Sequence, residues 1–210
     1  MTALSYSATV RSYPGEEVCG DAAFVHENDD RLLAVVSDGL GHGPRAHAVS
    51  RRIEDWVREN GSKTVVDLIG GLHDELKGTV GAAIGLCALR PSEATMEFVG
   101  VGNIVACIFG SGRRELISQP GTLGLAIRTV RVQTEPLHPG DVVILHSDGI
   151  SSLINLREYP DLLAGEASAA SHEIVRRFGR KYDDVSCLVV KCDMRRQGAS
   201  VASPGLGSPR

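Results

Sequence analysis

Two antiparallel β-sheets packed face to face, with helices on their outer sides, is the α/β (α+β) architecture that the sequence predicts. Three observations predict it. Short apolar strand-like segments stand at both ends and through the middle of the chain. Helical periodicity is confined to two blocks, and most connections between strands are short polar or glycine-rich turns of hairpin type.

Taken in order, residues 3 to 10 read as an edge strand. Tyr13-Pro14-Gly15 reads as a turn and Glu16-Glu17 as a solvated loop. DAAFVH (21–26) is a short strand, and ENDD (27–30) the polar turn of a hairpin, with Asp29-Asp30 at its solvated tip. Leu32 to Val36 is a buried strand that breaks at Ser37-Asp38 into a turn with glycines at 39, 41 and 43. Pro44 suits the first turn of a helix, where its missing N–H would be unpaired anyway. Pro44 to Asn60 then carries Ala46, Val49, Ile53, Trp56 and Val57 at helical spacing. Thr64 to Lys77 is a second helix with Val65, Leu68, Leu72 and Leu76 on one face, interrupted by Gly70-Gly71.

The character then changes to a meander of short strands: Thr79 to Leu89, Thr95 to Val101, Ile104 to Phe109 and Glu115 to Ser118. Leu123 to Ile127 and Val130 to Thr134 continue it, and Pro139-Gly140 launches the apolar strand DVVILHSDGI (141–150). Glu158 to Leu163 and Ala167 to Phe178 read as helices, the second exposing Arg176, Arg177 and Arg180. Val185 to Cys192 is a closing strand. From Asp193 the chain is rich in Gly, Ser and Pro, so residues 193–210 are expected to form a flexible tail.

With 42% apolar and 23% charged residues in 210, the chain can bury a full core. Aromatics at 4% argue against a stacking platform for single-stranded nucleic acid. The formal charge of −4 argues against nucleic acid or an anionic membrane as partner. No apolar run approaches the roughly 20 residues of a membrane span, and the N-terminal stretch has no apolar core of signal-peptide length. The five cysteines (19, 87, 107, 187, 192) are odd in number, form no C-x-x-C and sit mostly in apolar runs, as reduced packing residues do. A cytoplasmic protein is expected.

The chemistry is concentrated where strands end. Asp38 closes an apolar strand beside three glycines, open to a ligand and repelling an anion, so its natural ligand is a cation. The strand-Ser-Asp-Gly unit recurs at Ser147-Asp148-Gly149. Gly20-Asp21 precedes the first unit and Asp183-Asp184 follows the second. Four separated acidic points, each beside a strand or turn, suit a hard-cation site assembled from several chain segments.

In this order, GD (20–21), SDGLGHG (37–43), GDVVILHSDG (140–149) and DDVS (183–186) resemble the metal-dependent protein phosphatases of the type 2C, or PPM, superfamily. The resemblance is to the SpoIIE-like branch and its compact RsbX-like subgroup, over residues 5 to 192. It implies an αββα sandwich, with residues 1–192 as a phosphatase domain, and two Mn²⁺ or Mg²⁺ ions in the cleft between the sheets. By motif, Asp38 would bridge both ions and the Gly39 carbonyl would ligate one. Asp148 and Asp183 would complete the other shell, and Asp21 would ligate directly or through water. Asp184 fills a position where many relatives carry Asn, so either member of the 183–184 pair is a candidate.

The implied activity is hydrolysis of phosphoserine or phosphothreonine by a metal-activated water. The implied partner is a phosphorylated regulatory protein, a STAS-domain stressosome scaffold or an anti-anti-sigma factor, acted on by a monomer. The chain departs from the family in two places. No arginine stands at the usual spacing before the first acidic motif, Arg11 lying too far upstream. Asn103 in VGVGN (99–103) replaces an aspartate associated with a third metal.

His42 is either a proton donor to the leaving serine oxygen or an exposed turn residue. His47, His138 and His146 read as structural. Two other readings compete with the metal-dependent enzyme. One is a non-catalytic binding module on the same fold. The other takes Cys107 to Arg113, CIFGSGR, as the C-x₅-R pattern of cysteine phosphatases. Ala106 precedes that cysteine, and the following RRELIS looks like a returning strand where a helix N-terminus would be needed.

Overall fold

The structure is a computed structural model that describes residues 3–28, 31–151 and 156–193. In chain order its strands and helices are β1 (Ala3–Arg11), β2 (Asp21–Asn28), β3 (Arg31–Gly39), α1 (Pro44–Asn60), α2 (Val65–Glu75), β4 (Ala82–Arg90), β5 (Thr95–Val101) and β6 (Val105–Phe109). There follow β7 (Arg113–Leu116), β8 (Gly121–Thr122), β9 (Ala126–Ile127), β10 (Gln133–Pro136), β11 (Val142–His146), α3 (Pro160–Ala164), α4 (Ala167–Phe178) and β12 (Val185–Asp193). A single 3₁₀ turn, Leu156–Glu158, precedes α3.

Two five-stranded antiparallel sheets result, ordered β10-β5-β4-β3-β2 and β1-β12-β11-β6-β7, with β8 and β9 as a separate small hairpin. Strand β3 reads as a continuous apolar run because both of its faces are covered. Leu33 and Val35 join the layer under α1 and α2, while Ala34 and Val36 join the layer between the sheets. Strand β12 alternates in the same way: Leu188 and Val190 point to the other sheet, Cys187 and Val189 toward α3 and α4. Three apolar layers therefore stack in the order helices, sheet, sheet, helices, the αββα sandwich.

Helix α1 spans its expected limits and buries Ala46, Val49, Ser50, Ile53 and Val57. Trp56 is partly buried, and its indole lies where a Cβ on Gly71 would collide with it. Gly71 in α2 thus seats a large ring from α1. Thr64 caps α2, its Oγ1 accepting from the Asp67 N–H at 3.2 Å.

Two expectations are corrected. Strand β3 does not break at Ser37-Asp38; it continues through Gly39, because both neighbours stay in register, Asp38 opposite Asp21 and Ala83. The expected meander is divided between the sheets. After β5 the chain turns at Gly102 (φ 92°), crosses to the other sheet for β6 and β7, and returns as β10 to pair with β5. Asp29-Asp30 and residues 194–210, the bulk of the expected tail, lie outside the described residues.

Candidate active site

Strand register builds the site. Asp21 is the first residue of β2 and Asp38 the last but one of β3, and the two pair directly. Asp148 follows β11, and Asp183-Asp184 precede β12. Since β11 pairs with β12 and β2 with β3, stacking the sheets gathers these four acidic points at one end of the sandwich.

Asp21 is buried and held from the opposite sheet: Ser186 Oγ donates to its Oδ2 at 2.8 Å, and Ser147 also bonds to it. Ser147 Oγ in turn accepts from the Ser186 N–H at 3.1 Å. Helix α1 fixes the segment before Asp21. His47 Nδ1 lies 2.9 Å from the Cys19 carbonyl, and Ser50 Oγ donates to the Gly20 carbonyl. The two serines lie inside the acidic motifs themselves, and their recurrence beside the aspartates was the available signal for this support.

A cleft of about 640 Å³ opens over the strand ends. Asp38, Asp148 and Asp183 line it together with Tyr13, Leu40, His42 and Asn103, and among the described residues no Lys or Arg lines it. Burial pushes the Asp38 carboxyl up to about 8, and the charges of Asp21, Asp148, Asp183 and Asp184 push in the same direction. Burial likewise raises Asp21 to about 7, with Asp184 and Asp183 adding to it against the hydrogen bonds from Ser147 and Ser186. Asp183 is raised by burial and then by Asp148. Each raised carboxyl reflects burial beside like charges, which a bound cation would offset.

The donor set is all oxygen, the chemistry preferred by Mg²⁺ and Mn²⁺. Among the described residues no three His, Cys, Asp or Glu side chains are yet gathered as a closed metal cage. The buried Oδ2 of Asp184 has no hydrogen-bond partner, whereas its Oδ1 accepts from the Tyr13 N–H at 2.8 Å. Asp183 therefore faces the cleft, and Asp184 is turned toward the β1–β2 loop.

That loop is more than the solvated turn expected. Glu16 pairs with His42, Oε1 to Nδ1 at 2.7 Å, and the Tyr13 ring stacks on the His42 ring at 4.4 Å and 13°. Nothing in the local sequence announced either contact, because 26 residues separate Glu16 from His42. Arg11 is away from the cleft, donating to the Arg180 carbonyl, and Arg180 Nη1 lies 3.9 Å from Asp183 Oδ2.

His47 and His146 are structural in their contacts. His146 is buried with Nδ1 2.8 Å from the Ser147 carbonyl, and burial lowers its pKa. His138 is exposed near Asp141. All five cysteines are buried and unpaired. Cys107 sits within β6 under α3 and α4, on the sheet face away from the cleft. Arg113 Nη2 reaches its sulfur at 3.7 Å, but burial still pushes the thiol up. A strand-borne thiol of raised pKa lacks what the C-x₅-R reaction requires.

The model of the family described as Stage II sporulation protein E (SpoIIE) matches residues 28–193. This chain belongs to the SpoIIE family. A relative of this SpoIIE-family chain, the phosphoserine phosphatase RsbX of Bacillus subtilis (strain 168), is 26% identical over 139 residues, which are 65% of this chain and 70% of the relative. A chain solved in work on the bacterial stressosome, a modular system adapted to control secondary messenger signaling, is 29% identical. It superposes with a TM-score of 0.84 over 90% of this chain and 100% of its own. RsbX crystallised with magnesium is 22% identical and superposes with a TM-score of 0.78 over 89% of this chain and 94% of its own, a likeness of fold. This SpoIIE-family domain is a phosphatase with the αββα fold that RsbX and the solved phosphatase domain of SpoIIE share.

Proposed function

We propose that the chain removes phosphate from phosphoserine or phosphothreonine of a cytoplasmic regulatory protein, using two Mn²⁺ or Mg²⁺ ions held at the strand ends. The observation that carries this reading is the cleft itself, where Asp38, Asp148 and Asp183 converge and Arg180, 3.9 Å from Asp183, is at its margin. Asp38, Asp148 and Asp183, with the Gly39 carbonyl, would hold the ions. Asp21 would contribute directly or through water. The position of Asp183 on the cleft, against Asp184 bonded to Tyr13 N–H, favours Asp183 as the ligand of that pair.

Bound divalent ions supply an activated water and neutralise charge developing on the phosphoryl oxygens. The protein's own groups do the rest. Ser147 and Ser186 orient Asp21. His42, on the cleft wall, gives a proton to the departing serine oxygen, a poor leaving group as an alkoxide. RsbX is a phosphoserine phosphatase, and the stressosome-associated structure is similar over most of this chain. A STAS-domain stressosome protein or an anti-anti-sigma factor is accordingly the proposed partner class.

The test is turnover of a phosphoserine protein and of p-nitrophenyl phosphate. EDTA is expected to abolish both, added Mn²⁺ to restore both, and iodoacetamide to leave both nearly intact. Loss with iodoacetamide and indifference to EDTA would instead favour Cys107. A folded phosphoprotein is expected to be processed with higher kcat/KM than its isolated phosphopeptide, because contacts outside the phosphate supply binding energy to the reacting centre.

A further inference from the structure

Helix α1 starts without the usual help. Its N-cap is Gly43, no side chain caps it, and its first turn contains no acidic residue. Glu16, from the β1–β2 loop, occupies that position instead. A Cβ built on Gly43 would lie 2.6 Å from Glu16 Oε2 and 2.9 Å from Oε1, so the carboxylate is seated against the N-cap backbone. The partial positive charge at a helix N-terminus favours a carboxylate there. From this seat the Oε1 of Glu16 meets His42 Nδ1 at 2.7 Å, with the Glu16 side chain 27% exposed. Tyr13, on the same loop, covers one face of the imidazole in parallel and is tied by its own N–H to Asp184. Both Tyr13 and His42 line the cleft with Asp38 and Asp148.

We propose that Glu16 is a positioning residue for proton transfer: it accepts a hydrogen bond from His42 Nδ1–H and so directs the Nε2–H to the substrate's leaving oxygen, with Tyr13 restraining the ring. The inference rests on the phosphatase reading and assigns a role to a loop outside all four acidic motifs. In the step, the bond from phosphorus to the serine Oγ breaks and its electron pair stays on Oγ, which takes the Nε2 proton. The attacking water oxygen forms the new bond to phosphorus, having released its proton to solvent. His42 keeps its Nδ1 proton on Glu16 and regains an Nε2 proton from solvent. A free imidazole favours the Nε2–H tautomer when neutral; acceptance by Glu16 selects Nδ1–H instead.

Two readouts test this on the full chain. First, ¹⁵N NMR of neutral His42 in metal-free protein is expected to show the Nδ1–H tautomer in wild type, its partial retention in Glu16→Gln, and reversion to Nε2–H in Glu16→Ala. Second, with Mn²⁺ present, Glu16→Ala is expected to lower kcat on a phosphoserine protein about 10- to 100-fold, in the range of general acid catalysis, with KM within about threefold. On p-nitrophenyl phosphate, whose leaving group needs no proton, the same variant is expected to stay within about threefold of wild type. Glu16→Gln should recover part of the phosphoserine activity because an amide oxygen also accepts from Nδ1–H. An Nε2–H tautomer in wild type, or equal losses on the two substrates, would overturn the proposal. The NMR arm needs neither metal nor turnover, so an inactive wild type would count against the phosphatase reading and leave the Glu16 result independent.

Discussion

Replacing Asp38 by Asn should make the metal-free protein more stable and the metal-loaded protein less so. Asp38 and Asp21 face each other in register near the end of the sandwich, and both carboxyls are pushed up, to about 8 and about 7. For an acid whose folded value exceeds its unfolded value of 3.8, the folded state binds more protons between the two values. Stability is therefore highest below the unfolded value and falls as pH rises toward the folded one. Each unit is worth about 1.4 kcal/mol, which sets a ceiling of about 5 kcal/mol near pH 7.5.

Asp21 and Asp38 titrate together, so removing one charge also relieves the other. The buried amide that replaces it must find partners, at a cost of about 1–3 kcal/mol. The expected net gain is about 2 kcal/mol at pH 8, or about 4–8 °C in Tm for a chain of this size. Thermal melts in EDTA, run at about pH 4 and pH 8, measure it: the gain should be present at the higher pH and vanish at the lower. Added Mn²⁺ reverses the order, since a cation at a hundred times its Kd stabilises wild type by about 2.7 kcal/mol. An Asp38→Asn protein that melts below wild type in EDTA at pH 8, or a wild type whose Tm ignores Mn²⁺, would refute the crowded-carboxylate account.

The neighbouring acidic pair should separate by function. Asp183→Ala is expected to lose nearly all turnover and Mn²⁺ stabilisation while keeping its metal-free Tm, whereas Asp184→Ala should lose about 1–3 kcal/mol of stability by releasing Tyr13 N–H; kinetics and melts on the two variants distinguish them. Gly85→Ala tests the inter-sheet packing. Its Cβ would meet Ile104 Cγ2 at 2.7 Å and Leu145 Cδ2 at 3.4 Å, so denaturant unfolding should show a loss of about 1–3 kcal/mol, with kcat unchanged.

Much of this was legible in the sequence because it depends on local period. The limits of α1 and α4 follow from apolar spacing, from Pro44 and from the change of period around them. The two-face burial of β3 follows from its uninterrupted apolar run, Leu32 to Val36. The acidic motifs stand out because strand–Ser-Asp-Gly occurs twice, and their order alone carried the family resemblance. Sequence reading erred where a neighbour decides. Ser37-Asp38 looked like a break, yet pairing with β2 and β4 holds β3 extended through Gly39. The hairpins of the meander are local, but which of the two sheets each strand joins depends on the crossing after β5.

What the sequence by itself determined is the inventory: which segments are strands or helices, which carboxylates end them, and hence that a cation belongs here. Tertiary structure alone decided their mutual geometry. Asp21 and Asp38 become a repelling pair through β2–β3 register, and Ser186 supports Asp21 from 165 residues away. Asp183 lines the cleft while its neighbour Asp184 bonds to Tyr13. Glu16 reaches the first turn of α1 and pairs with His42 across 26 residues. Period and composition record what each residue needs from its immediate neighbours. Charge repulsion, proton direction and desolvation depend on distances of a few ångströms between distant segments, and these exist only once the sheets have stacked.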